Sequence, residues 1–342
     1  MPVPSRTRDL VVVGASAGGV EALRAFVAGL PADLPAAVCV VLHLPSGGNS
    51  ALASILSRSG PLPAFTAENG QPLEKGCVYV APPGHHLLVP DGVLHLSHGP
   101  TENGHRPAVD VLFRSAAVSH GPRTIGVQLS GALDDGAAGM VALAARGGLV
   151  IVQDPDDALY RSMPESVLRY TEADHVLPAG KMGEVVREHA GHVVDEDVVD
   201  DVSPLTKMEA LVASRDGGAV ADEVNDFGVP SGLSCPDCSG GLVRLNDTST
   251  RFRCRVGHAW TADALLEAQS TTLEKALWTA LRTLEEKATL ARRMHDGALG
   301  KYHERLVSRY RRTEEEANEA ATVLREHLLS GALHDQAVSE TG

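Results

Sequence analysis

At 342 residues the chain is too long for one ordinary core and divides into two or three domains. Its 43% hydrophobic and 22% charged content excludes a disordered or fibrous chain. A formal net charge of -14 argues against nucleic acid or an anionic membrane surface as main partner, since both require clustered Lys and Arg. No apolar run approaches the ~18 residues of a membrane span. The opening residues carry neither a signal-peptide core nor a cleavage site, so a cytoplasmic protein is expected.

From residue 10 to about 190, short β-branched runs alternate with helical stretches. Residues 10–13 are an apolar run ending in glycine, which reads as a buried strand. Val20, Leu23, Phe26, Val27 and Leu30 follow at helical spacing, and Pro31 stops the helix. Residues 38–42 read as a second strand, with a helix marked by Ala51, Leu52, Ile55 and Leu56 behind it. Residues 77–81, with 86–89 and 93–96 around Pro90-Asp91-Gly92, read as a hairpin-rich insertion. A helix is predicted from Pro107, a strand over 124–129, a helix over 137–145 and a strand over 149–153. The alternation predicts a doubly wound α/β domain with a mostly parallel sheet and a β-hairpin insertion, over residues 1–190.

Residues 191–230 read as a solvated acidic linker, marked by Asp195, Glu196, Asp197, Asp200, Asp201 and Gly217-Gly218, with a short helix near 205–212. A small cysteine/histidine unit follows over 231–262. A helical hairpin is predicted over 263–331 and a tail over 332–342. Along its first helix, Leu266, Leu273, Leu277, Leu281, Leu284 and Leu290 form a stripe expected to pack on the second helix, or else to serve a helical partner or self-association.

Three segments carry chemistry. Gly14-Ala15-Ser16-Ala17-Gly18-Gly19 joins a strand to a helix, the setting of an exposed nucleophilic serine. A phosphate-binding loop and a purely structural turn have the same appearance. The nucleotide reading wants an acidic residue at the end of the second strand, where this chain has Leu42-His43-Leu44-Pro45. Gly131-Ala132-Leu133-Asp134-Asp135-Gly136-Ala137 adds carboxylates at the same sheet edge, whose bland role is helix capping. Ser16, His43 and Asp135 on three strand ends would make a Ser-His-Asp triad, in an order unlike that of α/β-hydrolases. A non-catalytic binding module on the same fold is the rival.

At these residues the sequence strongly resembles the catalytic domain of chemotaxis-type protein-glutamate methylesterases. The family's Gly-x-Ser-x-Gly-Gly loop is matched by Gly14 to Gly19, its His-x-Pro strand end by His43-Leu44-Pro45, and its Gly-x-x-x-Asp-Gly-Ala segment by Gly131 to Ala137. Val78-Tyr79-Val80-Ala81-Pro82, His86-Leu87 and the run from Arg106 to Phe113 also look like the family. The resemblance implies Ser16 as nucleophile, His43 as general base, Asp135 as its orienting partner, and backbone N–H groups of Ala17 and Ala132 as oxyanion donors. It implies a glutamate methyl ester on a chemoreceptor or similar helical signalling protein as substrate, glutamine deamidation as a second activity, and no catalytic cofactor. It further implies a form without the receiver domain that well-known members carry before the catalytic domain. Ala17, Ala132 and Leu42 stand where the family usually has Thr, Met and Gln.

In the C-terminal half, Cys235-Pro-Asp-Cys238 and Cys254-Arg-Val-Gly-His258 give a Cys₃His set suited to a closed, structural zinc site. So small a unit is expected to need the metal to fold. The catalytic domain, having its own core, is expected to work without it. Some members of the methylesterase family look similar here.

Overall fold

The computed structural model describes residues 6–45, 47–48, 50–194, 201–215, 224, 226–245, 250–299 and 304–339, with side chains as far as 330. Residues 1–265 form one compact unit and 266–342 a second.

The core of the first unit is a seven-stranded sheet of β1 (Leu10–Ala15), β2 (Ala37–Leu42), β3 (Ala64–Thr66), β4 (Val78–Val80), β7 (Thr124–Gln128), β8 (Leu149–Gln153) and β9 (His175–Leu177). Its order is β3-β4-β2-β1-β7-β8-β9, parallel throughout. This is the expected doubly wound sheet. The chain runs outward from β1 on one side, then returns to fill the other, so a crevice opens at the carboxyl end of β1.

Strand β1 is apolar on both faces because both are covered. Val11, Val13 and Ala15 join the core beneath α1 (Gly19–Ala28), α2 (Leu52–Ser59) and α6 (Ala179–His189). Leu10 and Val12 face the opposite core, built with α3 (Val109–Ser119), α4 (Ala137–Ala145) and α5 (Ser162–Tyr170). The insertion between the halves is a hairpin of β5 (His86–Leu88) and β6 (His95–Ser97). Residues 77–81 do not belong to it. They supply β4, which pairs with β2 and is buried on both faces, as Val78, Tyr79 and Val80 allow.

Within the stretch read as a solvated linker, the short helix expected near 205–212 is present, but it is packed and not solvated; 195–200 and 217–218 lie outside the described residues. Helix α7 (Pro204–Ser214) starts with a Ser203 cap on the Thr206 N–H and buries Ala213 against Leu88, Ala108 and Val111. Its Glu209 is fully buried, because basic partners await it. A four-stranded antiparallel sheet follows: β10 (Gly228–Ser234), β11 (Gly241–Leu245), β12 (Arg251–Cys254) and β13 (Ala259–Thr261). Glu209 accepts from Arg251 at 3.0 Å and from Arg253 at 2.9 Å, both on β12. Arg253 also reaches Glu102 at 3.0 Å, and Glu102 accepts from Arg114 of α3.

The second unit is a hairpin of two long helices, α8 (Ala262–Ala298), which enters it at residue 266, and α9 (Glu304–Ser339); Gly300 and Lys301 between them lie outside the described set. Leu277, Leu281 and Leu284 pack with Ala321, Leu324 and Leu328. Leu266, Leu273 and Leu290 are exposed, so only the middle of the leucine stripe is used. Leu290 lies about 240° around the helix from Leu284, off the packed face. Helix α9 continues to Ser339, where a tail was expected from 332. No described helix is long and apolar enough to cross a membrane.

Burial alone would raise the Glu209 carboxyl, but the charges of Arg251, Arg114 and Arg253 hold it well below the ordinary carboxylate range. Removing one partner leaves the others buried and uncompensated. Glu209→Ala is therefore expected to destabilise the first unit by about 3–5 kcal/mol in urea unfolding. The stabilisation is present above about pH 4.3, the unfolded value, and is lost as pH falls toward the depressed folded value. Variant and parent should converge in acid.

Candidate active site

The nucleophile loop leaves β1 at Ala15 and enters α1 at Gly19. Gly18 adopts φ +68°, a left-handed conformation open to glycine. Ser130 ties the loop down: the Ser16 N–H donates to its carbonyl at 2.9 Å, and its hydroxyl donates to the Ala17 carbonyl at 2.9 Å. Register does the rest. Ala15 pairs with Leu42, so His43 is the next residue beyond β2, beside Ser16. Asp135 comes from the turn after β7, the neighbour of β1 on the other side.

The structure brings Ser16, His43 and Asp135 together. The His43 Nε2 lies 2.6 Å from Asp135 Oδ2, and its Nδ1 lies 3.0 Å from Ser16 Oγ. An ionised Asp135 can only accept, so Nε2 carries the ring proton and Nδ1 accepts from the serine hydroxyl. Asp135 also accepts from the backbone N–H groups of Val109 at 2.7 Å and Asp110 at 3.1 Å, at the N-terminus of α3. Gly14 permits this approach, because a Cβ there would lie 2.1 Å from Val109 Cγ1.

Burial by itself would raise Asp135; the His43 hydrogen bond and charge, with His105 and the Val109 N–H, pull it down to about 2. Neighbouring Asp110 goes the other way. Full burial first, then the Asp135 charge, push it up to about 8, while its Oδ1 accepts from Gly136 and Gly139 N–H groups. Two carboxylates so close are driven apart: Asp135 is held toward the charged form by its donors, and Asp110 is pushed toward the protonated form despite Arg114 at 3.9 Å.

Asp134 points elsewhere. It does not cap α4, whose N-cap is Gly136 with no side-chain bond. Its Oδ1 accepts from Thr261 Oγ1 at 2.7 Å. Ala17 and Ala132 flank Ser16 in the two loops, and among the described hydrogen bonds neither spends its N–H inside the chain. Leu159 and Tyr160, both exposed, form an apolar ledge beside the nucleophile loop, where Leu159 abuts Gly18. A cavity of about 410 Å³ opens on the far side of Asp134, between α4 and α7. Ser16 and His43 do not line it.

Sequence reasoning missed His105. Its ring lies flat on His43, with centroids 3.7 Å apart and planes 13° from parallel. Burial, then the neighbouring His43 charge, lower it to about 4, so a neutral ring backs the imidazole at neutral pH. No spacing marks it; its place beside Arg106-Pro107, already noted as family-like, was the available signal.

Further along, Cys235, Cys238, Cys254 and His258 converge, with ligand atoms all within 4.8 Å of one another. Cys238 Sγ is 3.7 Å from Cys254 Sγ, and His258 Nδ1 is 3.7 and 3.5 Å from Cys235 and Cys254 Sγ. A tetrahedral ion with S at ~2.3 Å and N at ~2.1 Å would space its ligands by about 3.8 Å (S···S) and 3.6 Å (S···N). The four residues fit a closed metal site.

The family model for CheB methylesterase matches residues 11–186. A protein-glutamate methylesterase/protein-glutamine glutaminase of Methanosarcina mazei is 37% identical over 187 residues, covering 52% of this chain and 51% of the relative. One from Xanthomonas campestris is 38% identical over 193 residues, 54% of each. The chain thus spans about half the length of these relatives. The crystal structure of the Thermotoga maritima CheB methylesterase catalytic domain aligns with a TM-score of 0.51 at 36% identity, covering 53% of this chain and 97% of that one.

The Asp110 proton yields a measurable consequence. Between about pH 4, where an exposed aspartate ionises, and about 8, only the folded state holds it, so rising pH lowers stability across this window. Asp110→Asn keeps the acceptor oxygen and should flatten that fall; thermal melts from pH 5 to 8 read it.

The matched segment exceeds half of the 342 residues and contains Ser16 and Asp135, each within hydrogen-bonding reach of His43, and the chain belongs to the CheB methylesterase family.

Proposed function

We propose that this chain hydrolyses glutamate methyl esters on a protein substrate, a chemoreceptor or similar helical signalling protein, in the cytoplasm. The continuous hydrogen-bond line Ser16–His43–Asp135 carries this reading. Ser16 Oγ attacks the ester carbonyl and His43 Nδ1 takes its proton. Charge collecting on the carbonyl oxygen is met by the Ala17 and Ala132 N–H groups. The tetrahedral intermediate collapses, the proton passes from His43 to the departing oxygen, and methanol leaves an acyl-Ser16. Water, deprotonated by the same His43, then releases the glutamate carboxylate and restores the serine. Asp135 stays ionised and stabilises the imidazolium each time it forms.

A glutamine side chain presents the same carbonyl with ammonia as leaving group, so deamidation fits the site as a second activity. The names of the relatives include both reactions. Ala17 in place of Thr leaves the backbone donor and removes a side-chain hydroxyl and a methyl. The Leu159–Tyr160 ledge suits an apolar flank of a substrate helix.

Catalysis needs no cofactor. The Cys₃His set would hold a structural zinc through Cys235, Cys238, Cys254 and His258, leaving no open position for chemistry.

Ser16→Ala is expected to lower methanol release from a methylated receptor by ~10⁴-fold or more, with the melting temperature unchanged. A variant that kept most of the activity would sink the mechanism. Elemental analysis should find close to one zinc per chain, and Cys238→Ser should abolish it. Metal-free protein with a protease-resistant segment over 231–262 would remove the zinc assignment.

A further inference from the structure

The family match stops at residue 186, yet both loops that border the His43 imidazole are held by residues beyond it. Strand β13 runs beside residues 101–105. The Ala259 N–H donates to the Thr101 carbonyl at 3.2 Å, and the Asn103 N–H donates to the Ala259 carbonyl at 2.8 Å. The Thr261 N–H donates to Asn103 Oδ1 at 2.8 Å, and the Thr261 hydroxyl donates to Asp134 Oδ1 at 2.7 Å. Two residues after Asn103 stands His105, stacked on His43; one residue after Asp134 stands Asp135, bonded to His43 Nε2. Thr261 thus links the loop that carries His105 to the loop that carries Asp135, alongside the Val109 and Asp110 N–H bonds to Asp135.

The same strand issues from the metal-ligand turn. His258 immediately precedes β13, its carbonyl accepts from the Cys254 N–H at 3.0 Å, and Cys254 ends β12, to which β13 pairs. The Glu102–Arg253 bond anchors the arrangement from the other side.

We propose that Thr261 is a positioning residue for the His43 imidazole, and that metal binding by the Cys₃His unit keeps it in place. The proposal rests on the esterase reading above. It replaces the expectation that the catalytic domain works independently of the small unit.

Asp134 shows why the hydroxyl matters. It is 6% exposed, lines the cavity between α4 and α7, and accepts from the Thr261 hydroxyl. Burial, with the charges of Asp263 and Asp135, raises it to about 6 against the Thr261 bond that lowers it. Without that bond the carboxylate is left to a proton or to solvent in the cavity, and the 131–136 loop loses its tie to Asn103 through Thr261. Displacements of about 1 Å at a reacting centre cost up to ~10²-fold in rate.

The test uses the full-length chain and its Thr261→Val and Thr261→Ser variants, each zinc-loaded and after chelation. A fluorophosphonate probe reports Ser16 reactivity without any ester substrate, by mass spectrometry, and ring NMR signals report His43 and His105. Thr261→Val should slow Ser16 labelling about tenfold and shift both ring signals, while Thr261→Ser should restore both. Chelation should mimic Thr261→Val in the parent and add little in that variant, since both act through one contact. Thr261→Val labelling at the parental rate with both rings unmoved would overturn the proposal. Should Thr261→Val fail to fold, chelation of the unsubstituted chain decides instead: unchanged labelling and rings would overturn the role of the metal unit. A parent that is never labelled, with His43 and His105 still shifting in Thr261→Val and returning in Thr261→Ser, would defeat the esterase reading and sustain the positioning one.

Discussion

A carboxylate sealed inside a protein stays ionised only if enough donors are aimed at it, and the arrangement around Asp135 supplies them. Two N–H groups at the start of α3 and the Nε2–H of His43 converge on its two oxygens. Each depends on something further out. The helix can come so near because Gly14 offers no side chain to obstruct Val109. The neighbouring Asp110 can share the space because burial and the Asp135 charge push it toward the neutral form, and it lends its oxygen to the loop after Asp135. With the anion fixed, the ring of His43 has one tautomer and one orientation, and Ser16 one acceptor. The serine itself contributes little to this order.

Much of the site was legible because it is local. A buried apolar strand, a glycine-bounded serine and a helix start lie within a dozen consecutive residues, and β2 and β7 likewise lead into the segments that carry His43 and Asp135. What was not legible depends on contacts across long stretches of chain. His105 meets His43, and Thr261 meets Asp134, only through tertiary packing, which no periodicity announces. The three-residue strands β3, β4 and β9 are too short to show alternation, and so residues 77–81 were grouped with the nearby hairpin.

Burial of the helix at 204–214 was hidden for a related reason. Asp and Glu in a Gly-containing stretch ordinarily mean solvent, yet Glu209 is buried by Arg251 and Arg253, more than forty positions away. The leucine stripe of α8 was right in kind and too long in extent. A helix offers its stripe wherever leucines recur, but only the part facing a partner is covered, here 277–284.

The sequence distances inside the ion cluster and the Thr261 bond also fix an order of events during synthesis. Glu102 and Asp134 leave the ribosome well before Arg253 and Thr261, their partners 151 and 127 positions later. At about 5–20 residues per second, that interval is on the order of ten seconds. For that time the parallel sheet can assemble while Glu102 has Arg114 but not yet Arg253 beside it. The nascent chain must therefore tolerate an unfinished pole, with loop 101–105 unpaired, until the last strand of the small sheet emerges to close it.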